Sequence, residues 1–339
     1  MIFNKIEEVK ELLKNSEKIV IVSHKNPDGD AIGSSLALYH HLRFYTSKIT
    51  VMMPNEMSGN LIFLPGTKQI LLANNNTEIA STFIEHADLI FCLDFNALHR
   101  AGDFLSTIIG NAKAKKIMID HHLEPVNFAD YMFSDTTASS TCEMIFDFID
   151  NLGEVDKLTK ESATCIYAGM VTDTGSFRYV ATTSKTHHVA YQLYQKGIDA
   201  ATIQNSLFNN MDYNRLKFIG HLINKRMHVH PELKMAYITV PMKDREKYNF
   251  IHGELDGIVN YGLGLKGIEF AVLFAETVQS GIKISFRSTP PYTVNTFARD
   301  FFNGGGHANA SGGQSYKSLD NTIKEFMSQF PLFLKTFNK

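Results

Sequence analysis

Apolar residues at Ile6, Val9, Leu12 and Leu13 recur at helical spacing and predict a helix over residues 4–15. A nearly continuous apolar run follows at 18–23 and reads as a buried strand. Leu36, Leu38 and Leu42 predict a helix that Asp30 would cap and that ends near Phe44. Residues 49–53, 87–93 and 116–119 repeat the short apolar run of a buried strand. Residues 97–109, 138–151 and 159–170 carry helical patterns. Strands alternating with helices in this way predict an α/β fold with a largely parallel sheet and helices on both faces.

The pattern changes along the chain. Residues 185–227 look mostly helical and contain no Pro/Gly/Ser-rich stretch. From His228 on, strands at 235–240, 270–276 and 283–286 surround helical stretches, with glycine clusters at 262–267 and 304–306. The expected organisation is a larger N-terminal domain over 1–185, a mostly helical linker over 186–227 and a smaller C-terminal α/β domain over 228–339, with the active-site cleft between the domains. A chain of 339 residues is long enough for two such cores.

Composition narrows the function. Hydrophobic residues are 44% and charged residues 20%, as in ordinary globular proteins. No apolar run approaches the roughly 20 residues that a membrane span needs, and the N-terminus lacks a secretory signal pattern. Cys92, Cys142 and Cys165 are odd in number and far apart, which suggests neither a disulfide framework nor a cysteine zinc site. A cytoplasmic setting is the expectation. Net charge is −2 overall, but residues 1–214 carry −8 and residues 215–339 carry +6. An acidic first part suits carboxylates that hold metal ions. A basic second part without dense Lys/Arg runs suits a small or short phosphorylated partner and argues against a long duplex.

The chemistry concentrates where strands are expected to end. Ser23-His24-Lys25-Asn26-Pro27-Asp28-Gly29-Asp30 follows the first strand, Asp94 ends the run at 87–93, and Asp120-His121-His122 ends the run at 116–119. In open α/β sheets ligands bind at the carboxyl ends of the strands, so these residues are expected to converge there, with Asp173 closing the set. Carboxylates and imidazoles without thiolates suit Mn²⁺, with Mg²⁺, Co²⁺ or Fe²⁺ as alternatives. Six ligands exceed what one catalytic ion needs and suffice for two ions about 3.5–4 Å apart, with Asp94 the candidate bridge. Each piece alone has a plainer explanation: a turn and cap at 27–30, a surface His-His pair, an ordinary loop at 173–175. Together the plain explanations require several coincidences. His187-His188 lies in a polar helical stretch and reads as solvated surface. In the second domain, Arg287-Ser288 ends a strand and Gly304-Gly305-Gly306-His307 lets backbone N–H groups approach an anion, which suits phosphate.

On these motifs the chain resembles the DHH phosphoesterase superfamily, with Arg287-Ser288 and Gly304-Gly305-Gly306-His307…Gly312-Gly313 resembling its DHH-associated C-terminal domain. The order and layout are most similar to the bifunctional nanoRNase/pAp-phosphatase branch. The resemblance implies hydrolysis of very short oligoribonucleotides and removal of the 3′-phosphate from adenosine 3′,5′-bisphosphate. It implies that His24 and Asp28 hold one Mn²⁺, that Asp30, His121 and Asp173 hold the other, and that Asp94 bridges. It further implies that His122 contacts the scissile phosphate, that Asp120 orients a ligating histidine, and that Arg287, Ser288, Gly305, Gly306 and His307 hold the substrate's phosphate or nucleotide end. Arg100, six residues past Asp94, is a further phosphate candidate. Expected partners are short single-stranded RNA or small phosphorylated nucleotides, with no membrane partner and a homodimer left open. The competing readings are a phosphodiesterase for cyclic dinucleotides or their linear products, and a metal-dependent nucleotide-binding regulator without turnover.

Overall fold

Six strands, β1 (Lys18–Val22), β2 (Lys48–Met53), β3 (Leu71–Leu72), β4 (Leu89–Leu93), β5 (Lys115–Asp120) and β6 (Tyr131–Ser134), pair in parallel in the order β3-β2-β1-β4-β5-β6. The structure, a computed structural model, describes residues 3–249, 255, 257–277 and 281–337. The central strands are apolar throughout because both of their faces are covered. Ile19, Ile21, Phe91, Leu93, Ile117 and Ile119 point to one helical layer, and Val20, Val22, Ile90, Cys92 and Met118 to the other. The helices of this part are α1 (Ile6–Asn15), α2 (Gly29–Leu42), α3 (Thr77–Glu85), α4 (Asp103–Asn111), α5 (Thr141–Asn151), α6 (Lys160–Asp173), α7 (Ser184–Gln195) and α8 (Ala200–Phe208). Helices α3 and α4 cover the second face, and α1, α2, α5 and α6 cover the first.

Three local expectations change. Asp28, not Asp30, caps α2: its Oδ1 accepts from the N–H groups of Asp30 (3.0 Å) and Ala31 (3.1 Å), so the helix begins one residue after it. The helix expected over 97–109 is a short 3₁₀ turn at Leu98–Ala101 and then α4, divided at Gly102, whose φ of 83° no helix accommodates. The helix expected from residue 138 starts at Thr141, because Ser140 Oγ accepts from Glu143 N at 3.0 Å.

The chain divides into two compact units, Met1–Asn210 and Met211–Lys339. Residues 186–227, read from the sequence as a helical linker, are shared between them. Helices α7 and α8 bury Val189, Leu193, Ile203 and Leu207 in the first unit's core, whereas α9 (Tyr213–Arg226) buries Phe218, Ile219 and Leu222 in the second. The remaining elements of the second unit are β7 (Met227–His230), β8 (Met235–Val240), α10 (Met242–Lys247), α11 (Val259–Leu263), β9 (Phe270–Glu276), β10 (Ile282–Ser288), α12 (Asn295–Phe302), β11 (Gly305–His307), β12 (Ala310–Ser315) and α13 (Leu319–Leu334). Its mixed sheet runs β11-β12-β10-β9-β8-β7. Phe270, Phe274 and Phe286 meet Phe297, Phe302, Phe326 and Phe330 of α12 and α13 on one face, which places many of the chain's phenylalanines in this core. Among the described residues, no helix is long and apolar enough to cross a membrane. All three cysteines are buried and unpaired with one another.

Helices α2 and α6 cross at glycines. A Cβ on Gly33 would stand 2.6 Å from the Cys165 carbonyl oxygen, and one on Gly169 would stand 2.2 Å from Cys142 Sγ. Gly33→Ala should therefore lower stability by about 2 kcal/mol through overpacking. Gly110→Ala, on an open face of α4, should instead raise it by about 0.5–1 kcal/mol. Thermal unfolding followed by circular dichroism reads both.

The wholly buried His41 near the end of α2 lies with Nε2 2.9 Å from Glu154 Oε2, and Lys157 Nζ lies 2.6 Å from Glu154 Oε1. Burial holds His41 below the usual histidine value despite Glu154. Burial opposes ionisation of Glu154, but Lys157, Tyr45 and His41 outweigh it and hold that carboxyl low. Both groups are depressed on folding, so their stabilisation is full above their unfolded values and is lost as pH falls through the folded ones. The stabilising margin of the native protein over His41→Gln, read as the difference between their melting temperatures, should shrink as pH falls from about 6.5.

Candidate metal centre

The strand order places the site. From β1 the chain moves outward through β2 and β3, then crosses to β4 and continues through β5 to β6, so the order reverses between β1 and β4. Such a reversal leaves a crevice at the carboxyl ends of the two strands. His24 follows β1, Asp94 follows β4, and Asp120-His121-His122 closes β5. Asp28 and Asp30 enter from the start of α2, and Asp173 is the last residue of α6. The same glycine-lined crossing that joins α2 to α6 brings Asp30 and Asp173 to one place. Gly29 extends it, since a Cβ there would lie 2.4 Å from Thr172 Oγ1.

Three groups of possible donors include Asp94: His24 with Asp28, Asp30 with His121, and Asp120 with His122. His24 Nε2 lies 3.4 Å from Asp94 Oδ2 and 3.9 Å from Asp28 Oδ1. His121 Nε2 lies 3.2 Å from Asp173 Oδ2, 3.7 Å from Asp30 Oδ2 and 3.7 Å from Asp94 Oδ1. Most of these spacings exceed a good hydrogen bond. Two atoms each about 2.1 Å from a shared ion stand about 3–4 Å apart, so the spacing suits ligands of common cations. The two imidazoles are oriented for that task. His24 Nδ1 donates to the Lys25 carbonyl at 2.9 Å and His121 Nδ1 donates to the Ala138 carbonyl at 3.3 Å, which turns each Nε2 lone pair toward the carboxylates.

The electrostatics of the cluster are those of crowded anions. Burial first, and then the carboxylates of Asp30 and Asp28, raise Asp94 well above the usual carboxylate range. Burial also raises Asp30, and burial together with Asp30 pushes Asp173 up to about 6. His121 is raised well above the ordinary histidine value, because Asp173, Asp30 and Asp94 outweigh the opposing burial. A divalent cation relieves the same crowding without a proton, so the donor set fits metal. The backbone is bent to make it: Asp94 has φ 63°, a left-handed conformation that costs a non-glycine residue roughly 1 kcal/mol. Its N–H donates to the Ile119 carbonyl at 3.1 Å, and Ser23 Oγ donates to the Leu93 carbonyl at 2.8 Å, which fixes the turn.

Asp120 has a different partner from the one expected. Its carboxylate accepts from His122 Nδ1 at 2.7 Å and from His122 N at 3.2 Å, so it orients His122; the ligating-type His121 is oriented by a backbone carbonyl instead. The reason is spacing, since Asp120 and His122 lie two residues apart with both side chains on one side of the turn. Arg100 Nη2 lies 3.5 Å from His122 Nε2 and thus reaches this edge of the cluster. Sequence reasoning missed Thr141 and Cys142, whose N–H groups donate to Asp30 at 2.6 and 2.8 Å. The Ser140…Glu143 cap spacing marks that helix start, but nothing in it tells which carboxylate the helix meets.

In the second unit Arg287 Nη1 donates to the Phe286 carbonyl at 2.9 Å. Ser288 is committed to the fold rather than presented to a ligand: it is buried, its Oγ donates to the Tyr292 carbonyl at 2.8 Å and accepts from Asn309 Nδ2 at 3.0 Å. The glycine run is the β11 edge of a hairpin with β12, not a free loop. Gly304 and Gly306 are required by backbone packing, since a Cβ would lie 1.9 Å from the Gly312 oxygen and 2.7 Å from the Ala310 oxygen respectively, whereas the Cβ side of Gly305 is open. His307 stands at the end of that strand. His187 and His188 are exposed, as expected.

Residues 18–170 match the DHH family, N-terminal domain, and residues 233–338 match the DHHA1 domain. The bifunctional oligoribonuclease and PAP phosphatase NrnA of Bacillus subtilis is 30% identical, over 88% of this chain and 90% of its own. The protein of the same name from Thermus thermophilus is 30% identical over 94% and 90%. The crystal structure of an exopolyphosphatase-related protein from Bacteroides fragilis superposes with a TM-score of 0.93 at 38% identity, covering 98% of this chain and 97% of that one. Fold, motif order and identity over nearly the whole length agree, and the chain belongs to the DHH family of phosphoesterases, with a DHHA1 domain as its second part.

Proposed function

We propose that this chain is a two-cation phosphoesterase that hydrolyses short oligoribonucleotides to mononucleotides and removes the 3′-phosphate of adenosine 3′,5′-bisphosphate. The observation that carries the reading is that two donor groups, His24 with Asp28 and Asp30 with His121, meet at Asp94, with all of these side chains but Asp28 buried. His24 and Asp28 hold one cation, Asp30, His121 and Asp173 hold the other, and Asp94 faces both. Oxygen and imidazole donors favour Mn²⁺. When bound, two such cations lower the pKa of a water and draw charge from the phosphoryl oxygens. The substrates come from the two relatives at 30% identity.

The chain's own groups position the phosphate. Asp120 holds His122 by Nδ1, which leaves Nε2 beside the Arg100 guanidinium. Burial keeps His122 below the ordinary histidine value in spite of Asp120. An arriving phosphate oxygen meets the guanidinium and favours a proton on Nε2, with the Asp120 carboxylate stabilising the imidazolium across the ring. Arg287, the open Gly305, Gly306 and His307 offer a guanidinium and backbone N–H groups to a terminal phosphate. The buried free thiols suit a reducing, cytoplasmic setting.

With Mn²⁺, the native protein should degrade a short 5′-labelled RNA and release phosphate from adenosine 3′,5′-bisphosphate; a chelator should abolish both and added Mn²⁺ restore them. Turnover of neither substrate would overturn the assignment and direct the assay to linear and cyclic dinucleotides. Asp94→Asn should lower both activities on the order of 10³-fold or more while raising the melting temperature of the metal-free protein, because it removes a crowded buried charge and asparagine tolerates the left-handed backbone. Arg100→Ala should lower kcat on the order of 10²-fold with a smaller change in KM.

A further inference from the structure

Thr141 belongs to none of the motifs that carry the donors, yet it touches two of them. Its Oγ1 donates to Asp94 Oδ1 at 2.9 Å, and its backbone N–H donates to Asp30 Oδ2 at 2.6 Å. The next N–H, of Cys142, donates to Asp30 Oδ1 at 2.8 Å. Thr141 is wholly buried and is the first residue of α5, so these are N–H groups that a helix cannot satisfy internally. A carboxylate from α2 therefore caps α5, and the first hydroxyl of α5 reaches the carboxylate after β4. One residue ties three elements together at the cluster.

The hydroxyl acts on the residue with two tasks. With Oδ1 held by Thr141, Asp94 turns Oδ2 to His24 Nε2 at 3.4 Å while Oδ1 stays 3.7 Å from His121 Nε2. A carboxylate free to rotate would not keep one oxygen in each donor group. The platform is itself hydrogen-bonded in place. Ser140 caps α5 through Glu143 N at 3.0 Å, and Glu143 Oε2 accepts from Ser139 Oγ at 2.6 Å and from Thr186 Oγ1 at 2.8 Å. Glu143 is buried, and its bond to Thr186 ties α5 to the first turn of α7.

We propose that Thr141 is a positioning residue for the metal centre: its hydroxyl sets the rotation of Asp94 that lets one carboxylate serve both donor groups. The inference rests on the reading of the cluster as a two-cation site. It assigns to Thr141 no contact with substrate, so it predicts an effect on metal affinity rather than on substrate recognition.

The test compares Thr141→Val, which removes the hydroxyl and keeps the shape, with Thr141→Ser, which keeps the hydroxyl. Mn²⁺ affinity is measured by calorimetry on the metal-free full chain, and KM for adenosine 3′,5′-bisphosphate is measured at saturating Mn²⁺. The valine variant should bind Mn²⁺ about 10–100-fold more weakly, and the serine variant should stay within about threefold of the native protein. KM at saturating Mn²⁺ should be unchanged in both. Thr141→Ala, with the hydroxyl also removed, gives the same reading if the valine variant does not fold. Native Mn²⁺ affinity in a folded valine or alanine variant would overturn the proposal and leave the metal reading standing. Absence of Mn²⁺ binding by the native protein would overturn both, and the native isotherm tells the two failures apart.

Discussion

Asp28, Asp30, Asp94 and Asp173 repel one another, and much of the first unit is arranged to hold them together. Buried like charges are among the most unfavourable features a fold can contain. Here the unfavourable arrangement is over-determined: a strand-end turn with a left-handed residue, a glycine-lined helix crossing, and a helix start that spends its free N–H groups on Asp30. A divalent cation bound there would relieve repulsion that is present before it arrives.

The supports are graded in kind. His24 and His121 are oriented by backbone carbonyls, which no side-chain substitution removes. His122 is oriented by a side chain, Asp120, and faces a guanidinium instead of the carboxylate cluster through its other nitrogen. The difference matches the proposed division of labour, in which the first two histidines would serve as fixed donors and the third would respond to the charge of whatever binds. Asp94 stands between these arrangements, and its own geometry depends on the turn that Ser23 and the Ile119 carbonyl secure.

The second unit handles glycine differently from the first. Gly304 and Gly306 are forced by hairpin packing, while Gly305 between them has open space on the side where a Cβ would stand. Structural necessity and access to backbone N–H groups are thus interleaved in one strand. The same unit packs Phe270, Phe274, Phe286, Phe302 and Phe330 around Phe297 and Phe326 in one core, while Tyr213, Tyr261, Phe301 and Tyr316 stay exposed.

How much of this was legible follows from what each signal encodes. The continuous apolar runs at β1, β4 and β5 announced a sheet covered on both faces, because alternate residues of each strand serve opposite layers. Donor residues placed immediately after those runs announced the site, because a strand's end fixes where its next residue goes. The sequence therefore determined the fold class and which carboxylates and imidazoles come together around Asp94. Only the tertiary structure decided who orients whom. The pairing of Asp120 with His122, the cap that Asp30 places on α5, the hydroxyl of Thr141 on Asp94 and the withdrawal of Ser288 into a buried hydrogen-bond network all depend on side-chain direction and on contacts between distant segments. The division of residues 186–227 between two cores has the same origin, since helical periodicity tells that a face is apolar but not which core will bury it.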